Sequence, residues 1–203
     1  MFQNLKSKKK KLLYGLAVIA IGLLLATPLK AEAIGFVQRG FVTIGLFQSE
    51  REPVGDTRQT EAENPYAEHN LPLKDQHGNS LNIADLKGKV VFINFWATWC
   101  PPCVAEMPGI NELYQDYADD GEVVFTMISL DRNFGKAKKF LKNKGFDFDI
   151  YEPQSALPKE FQSRGIPNTF VLDKNGKIVF SHMGMGSYNT TKFKKFLNDL
   201  KTK

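Results

Sequence analysis

Hydrophobic and polar positions along this chain fall into blocks of different period, and each period predicts a different element. The first block, Leu12 to Leu29 (LLYGLAVIAIGLLLATPL), contains no charged residue. As a helix its 18 residues reach roughly 27 Å, close to the hydrocarbon thickness of a bilayer. A second apolar stretch, Ile34 to Phe47, has the character of a segment lying along a membrane surface. From Gln48 to His69 the chain turns polar and acid-rich, with Pro53 and Pro65 and no apolar period, the composition of a linker.

From Asn70 onward the pattern is that of a folded α/β domain. Turns are expected at Gln76–Ser80 and Lys87–Lys89. VVFINFW (Val90–Trp96) is an unbroken apolar, β-rich run, which predicts a strand covered on both faces. Val104, Met107, Ile110, Leu113 and Tyr117 keep helical spacing, with a break or kink expected at Pro108. EVVFTMISL (Glu122–Leu130) predicts a second buried strand, and Gly135–Gly145 a helix stopped by Gly145. A short strand near Phe146–Tyr151 and a helix near Ser155–Arg164 follow. NTFVLD and KIVFSH, joined by Lys174-Asn175-Gly176, read as a hairpin, and TKFKKFLNDLK as a closing amphipathic helix. The order β-α-β-α-β-α-β-β-α predicts one α/β domain, a central mixed sheet flanked by helices. The expected organisation is a basic tail (1–11), an apolar helix (12–29), a juxtamembrane segment and linker (30–69), and the folded domain (70–203).

Composition agrees: 42% hydrophobic residues with 16 Phe supply one ordinary globular core. The net charge of +5 invites a nucleic-acid partner, but five of the 27 basic residues are Lys6, Lys8, Lys9, Lys10 and Lys11. The other 22 balance 22 acids, so the body carries no footprint for a phosphate backbone and no nucleic acid is expected. The basic tail followed by the apolar block allows two leaders. One is a signal peptide cleaved after Ala31-Glu32-Ala33; the other is an anchor whose lysines stay in the cytoplasm. The block exceeds an ordinary signal h-region of about 7–15 residues, which favours the anchor. Either leader delivers the domain outside the cytoplasm, on the periplasmic side.

Both cysteines lie in WCPPC, Trp99 to Cys103, just past the first buried strand. A zinc site needs four Cys or His ligands, and His69, His77 and His182 fall at no pairing distance from the cysteines. A structural clip over a four-residue loop constrains the unfolded chain by only about 2 kcal/mol. A redox pair explains both spacing and place. Cys100 would open a helix, where unpaired N–H groups and the dipole favour a thiolate, and Cys103 one turn on could resolve a mixed disulfide. Pro101 and Pro102 suit a first helical turn, where a missing N–H is tolerated.

GKVVFINFWATWCPPCVAEMP (Gly88–Pro108) together with GIPNTFVLDKNGKI (Gly165–Ile178) resembles the thioredoxin superfamily, specifically its TlpA/ResA-like extracytoplasmic thiol-disulfide oxidoreductases. The resemblance implies a thioredoxin-like fold, Cys100 as nucleophile and Cys103 as resolving cysteine. It implies that Pro167 is the cis-proline facing the disulfide, leaving the Ile166 backbone to bind an extended substrate. Glu106 falls where this branch carries an acid, one helical turn past Cys103, within range for proton exchange. Asn94 stands where ordinary thioredoxins carry a buried aspartate, which moves acid–base work toward Glu106. Trp99 is expected as a surface lid over the substrate and Trp96 as core packing; Asn168 is expected to tune substrate fit.

The implied activity is reduction of disulfides in extracytoplasmic proteins, with no cofactor beyond the Cys100–Cys103 pair and with electrons from a membrane donor protein. Two alternatives are weighed. A thiol peroxidase on this fold needs Pro and Thr seven and three residues before its cysteine, where this chain has Ile93 and Ala97. A redox-inert client-binding module would have no use for the intact pair and Glu106.

Overall fold

The computed structural model describes residues 69–202. The basic tail, the apolar helix and nearly all of the linker expected from the sequence lie outside the described residues. Among the described residues no helix is long and apolar enough to cross a membrane.

Pro72–Asp75 (β1) and Ser80–Asn82 (β2) pair antiparallel across the turn expected at 76–80. The Asp75 carboxylate closes that turn, accepting from the N–H groups of His77 and Asn79, each at 2.8 Å. Val90–Trp96 (β3) has the expected bounds, and all seven of its residues are buried. Pro101–Gln115 (α1), Val123–Ser129 (β4), Phe134–Lys144 (α2) and Ile150–Pro153 (β5) follow. Asn168–Leu172 (β6) and Ile178–Met183 (β7) form the hairpin, and Thr191–Lys201 (α3) closes the chain.

The sheet runs β2-β1-β5-β4-β3-β6-β7, parallel where β4 meets β3 and β5 and antiparallel elsewhere. Alternate residues of β3 point to opposite faces, so the strand feeds two cores. Val90, Phe92 and Trp96 join the side chains that all three helices bury, among them Met107, Ala137 and Leu197. Val91, Ile93 and Phe95 face Leu71, Ile83, Phe161 and Phe170. That second face is covered by loops and 3-10 turns rather than by a helix.

The helix expected near Ser155–Arg164 is therefore a correction: only Lys159–Phe161 is helical, as a single 3-10 turn. Pro158 starts the turn without an N–H to donate, and Gln162 already returns to extended backbone. Phe161 covers the sheet from that turn, packing against both Phe95 and Phe170. Of the break or kink expected at Pro108, the break is absent: α1 is continuous through it. Met107 and Ile110 stay fully buried, so packing holds the helix across one lost backbone hydrogen bond. The strand expected at 146–151 begins later, at Ile150, whereas Gly145 caps α2 as expected at a left-handed φ of 65°.

Candidate active site

The site grows from the end of β3, where the chain leaves the sheet and enters α1. Cys100 is the N-cap residue, in extended conformation, and Pro101 and Pro102 fill the first helical positions, where no backbone donor is needed. Cys100 and Cys103 form a disulfide with Cα atoms 5.3 Å apart. The Cys103 N–H donates to Cys100 Sγ at 3.3 Å, so a free helix-terminal donor already points at the sulfur that would carry charge after reduction. Cys100 keeps 4% of its surface and Cys103 none, which leaves Cys100 as the sulfur reachable from outside.

Ile166–Pro167 is cis, as the resemblance implied, and the Ile166 carbonyl oxygen lies 3.7 Å from Cys100 Sγ. The Gly184 N–H donates to the Pro167 carbonyl at 2.8 Å, tying this loop to the end of β7. Trp99 is 64% exposed beside the disulfide, whereas Trp96 is wholly buried. Asn168 is buried within β6, paired to Phe95 and Met183.

Glu106 is the unusual group. It lies on the inner face of α1 and is only 2% exposed. Asn94 Nδ2 donates to its Oε1 at 2.8 Å, and the Gly186 N–H donates to its Oε2 at 2.9 Å. Burial pushes its pKa up to about 8, and those two hydrogen bonds offset only part of the shift. Asn94 also donates to Thr169 Oγ1 at 2.9 Å, while its own Oδ1 is buried without a hydrogen-bond partner. Burial, with the Glu106 charge second, holds the Tyr188 phenol well above its usual range.

The structure thus brings Cys100, Cys103, Pro101, Pro102, Ile166 and Pro167 together, with Glu106 on the same helix behind them. Sequence reasoning missed three supporting groups. Gly186 and Tyr188 lie in a glycine-rich stretch with no periodic signal. Asp131 follows a strand and reads as an ordinary loop acid. Its carboxylate accepts from the Thr98 N–H at 2.9 Å, Thr98 Oγ1 at 2.7 Å and Ser129 Oγ at 3.0 Å, and so fixes the loop that carries Trp99.

A mixed sheet with a dithiol capping the helix after its central strand, faced by a cis-proline, defines the class: the thioredoxin-superfamily thiol-disulfide oxidoreductases. The chain belongs to the Redoxin family, whose model matches residues 53–200. It is 35% identical over 116 residues to the thiol-disulfide oxidoreductase ResA of Bacillus cereus, covering 57% of this chain and 66% of that one, just under two thirds. Among solved structures it resembles the thioredoxin domain of a thiol-disulfide oxidoreductase from Bacteroides vulgatus, with 26% identity and a TM-score of 0.53 over 63% of this chain and 92% of that one. StoA of Bacillus subtilis is also similar, with 25% identity and a TM-score of 0.51 over 63% and 92%.

Proposed function

We propose that this chain reduces disulfides in extracytoplasmic proteins, drawing electrons from a membrane donor protein. The observation that carries the reading is the asymmetry of the pair: Cys100 is reachable and receives a helix-terminal N–H, while Cys103 is sealed behind it. In the forward step the Cys100 thiolate attacks a substrate disulfide, forming one S–S bond and releasing one substrate thiolate. Cys103 then attacks Cys100 Sγ, closing the internal disulfide and releasing the second substrate thiol. The buried Cys103 thiol must lose its proton for that second step. Glu106, with a pKa near 8, titrates in the same range as an ordinary thiol near 8.5, which suits it to exchange that proton. The leader of five lysines and an uncharged 18-residue block supports a membrane-anchored domain on the periplasmic side.

The test combines trapping and potential. Cys103→Ser should accumulate a mixed disulfide with reducible substrate, and Cys100→Ser should abolish exchange; equal trapping by both would refute the assigned roles. A reduction potential at or below about −250 mV supports a reductase, whereas one near −120 mV would make the chain a disulfide donor.

A further inference from the structure

Trp99 and Met183 are the exposed large hydrophobic side chains of the described residues, at 64% and 56%. Trp99 precedes Cys100, and Met183 pairs across the hairpin with Asn168, directly after the cis-proline. Trp99 is also a ridge between two depressions. On one side lies an apolar groove of about 400 Å³ whose walls include Leu130, Leu157, Phe161 and Ile166. On the other lies a depression of about 430 Å³ edged by Arg132 and Lys136. Asp131 is the one acid lining either hollow, and its carboxylate is already committed to Thr98 and Ser129. Arg132, Lys136 and, on the apolar rim, Arg164 are exposed and make no ion pair among the described residues.

We propose that this face selects its disulfide substrates: it takes an extended cysteine-bearing segment that seats an apolar side chain in the groove beside Ile166 and presents an acidic side chain to Arg132 and Lys136. The inference rests on the thiol-disulfide exchange proposed above and adds the chemistry of the segment recognised. An apolar side chain leaves water for a groove walled by Leu, Phe and Ile, which favours it over alanine at that position. Two cations beyond the ridge outnumber the single Asp131 carboxylate, which is turned to Thr98 and Ser129, and so favour a carboxylate and disfavour a lysine at the neighbouring position. A small disulfide such as glutathione disulfide would span only the sulfur and leave both hollows unused.

The test uses reduced full-length chain carrying Cys103→Ser and eight synthetic peptides. Each holds one cysteine capped as a mixed disulfide with 5-thio-2-nitrobenzoate, flanked by Phe or Ala and by Glu or Lys, in both sequence orders. Cys100 Sγ forms a bond to the peptide sulfur as the peptide–aryl S–S bond breaks, and the electron pair leaves on the coloured aryl thiolate. The Phe/Glu peptide should react about tenfold faster than Ala/Lys at low salt. The Glu-over-Lys part should shrink at high salt and reverse in Arg132→Glu/Lys136→Glu. The same series on reduced wild-type chain should give the same order, which guards against a folding defect in the serine variant. Equal rates for all peptides, a preference for Lys, or an apolar preference with no acid preference would each overturn the proposal while leaving the exchange reading intact. Failure of every peptide to react, together with failure of the wild type to reduce insulin, would instead refute that underlying reading.

Discussion

Asn94, in the middle of β3, donates its side-chain amide to Glu106 on α1 at 2.8 Å, entirely out of contact with water. An uncharged amide beside a buried acid holds the acid in place without supplying a counter-charge. Desolvation therefore dominates, and the pKa rises from 4.5 to about 8. Between those values the folded chain keeps a proton that the unfolded chain has lost. Its stabilising contribution is complete below about pH 4.5 and is lost as pH rises to 8. The size is a few kcal/mol, at about 1.4 kcal/mol per pKa unit. Urea unfolding of the oxidised chain should show wild type losing stability from pH 5 to 8.5. Glu106→Gln should lack that part of the slope and overtake wild type at the alkaline end. Parallel slopes for the two proteins would count against a protonated, buried Glu106.

The same substitution separates proton transfer from structure. Glu106→Gln keeps an acceptor for the Gly186 N–H, and its amide can donate to the unpaired Asn94 Oδ1 if that group turns over. Stopped-flow insulin reduction should show mixed-disulfide resolution slowed about a hundredfold, with the first attack by Cys100 nearly unchanged. The limb of the wild-type pH–rate profile near 8 should disappear. Equal slowing of both steps would point to a general distortion of α1 instead.

Much of this arrangement was legible in the sequence because it depends on short-range pattern. The unbroken apolar run of β3, the Cys100–Cys103 spacing and Ile166-Pro167 before a strand each announce themselves within a few residues. Gly145 and the hairpin turn before Lys177 do so through turn chemistry. What was not legible depends on long-range closure. Nothing local says that the Gly186 N–H will reach Glu106, 80 positions earlier, or that Asp131 will clasp Thr98. The expected helix at 155–164 failed for a related reason. Its apolar content, chiefly Leu157 and Phe161, packs on the second core equally well from a loop and a single turn.

Gly186 owes its identity to space. A Cβ built there would sit 2.5 Å from Tyr188 Cζ and 2.6 Å from its hydroxyl, far inside van der Waals contact. Tyr188 is fully enclosed by Phe92, Phe180 and Phe193 and has nowhere to retreat. Gly186→Ala must therefore move the 186 peptide and its N–H away from Glu106. Thermal unfolding should report a loss of about 1–3 kcal/mol, and the Glu106 titration, followed by carboxyl NMR, should move further upward. An unshifted titration would mean that the peptide hydrogen bond survives and that the strain is absorbed by Tyr188.

Removing Asn94's amide isolates its contribution. In Asn94→Leu the Glu106 Oε1 and Thr169 Oγ1 both lose a buried donor. An orphaned buried acceptor costs about 1–3 kcal/mol, and loss of a hydrogen bond to the carboxylate raises the acid's pKa further. Denaturant unfolding at pH 7 should show that destabilisation, and the pH–rate limb should move above 8. Asn94→Asp gives a sharper result, because a second carboxylate 2.8 Å from the first cannot ionise alongside it. Its stability should fall steeply on the alkaline side and approach wild type near pH 5, where the pair can share a proton. A fall toward acid pH instead would show that the two groups have separated.

Asp131 offers the last discrimination, between a loop that is positioned and one that merely lies on the surface. Its carboxylate receives three hydrogen bonds, two of them from Thr98, one residue before Trp99. Asp131→Ala strands the Thr98 N–H in a half-buried position and frees Trp99 from its fixed place between the two hollows. The cost in stability should be about 1–3 kcal/mol. Its effect on exchange should be selective. The disulfide itself is held by the α1 N-terminus and the cis-proline loop, so reaction of Cys100 with a small disulfide such as glutathione disulfide should change little. Insulin, which must rest on the Trp99 ridge, should be reduced with a several-fold higher KM and an unchanged kcat. Asp131→Asn, which keeps an acceptor for Thr98, should recover most of that loss. An equal effect on both substrates would place Asp131 in the scaffold of the dithiol rather than in the support of its docking surface.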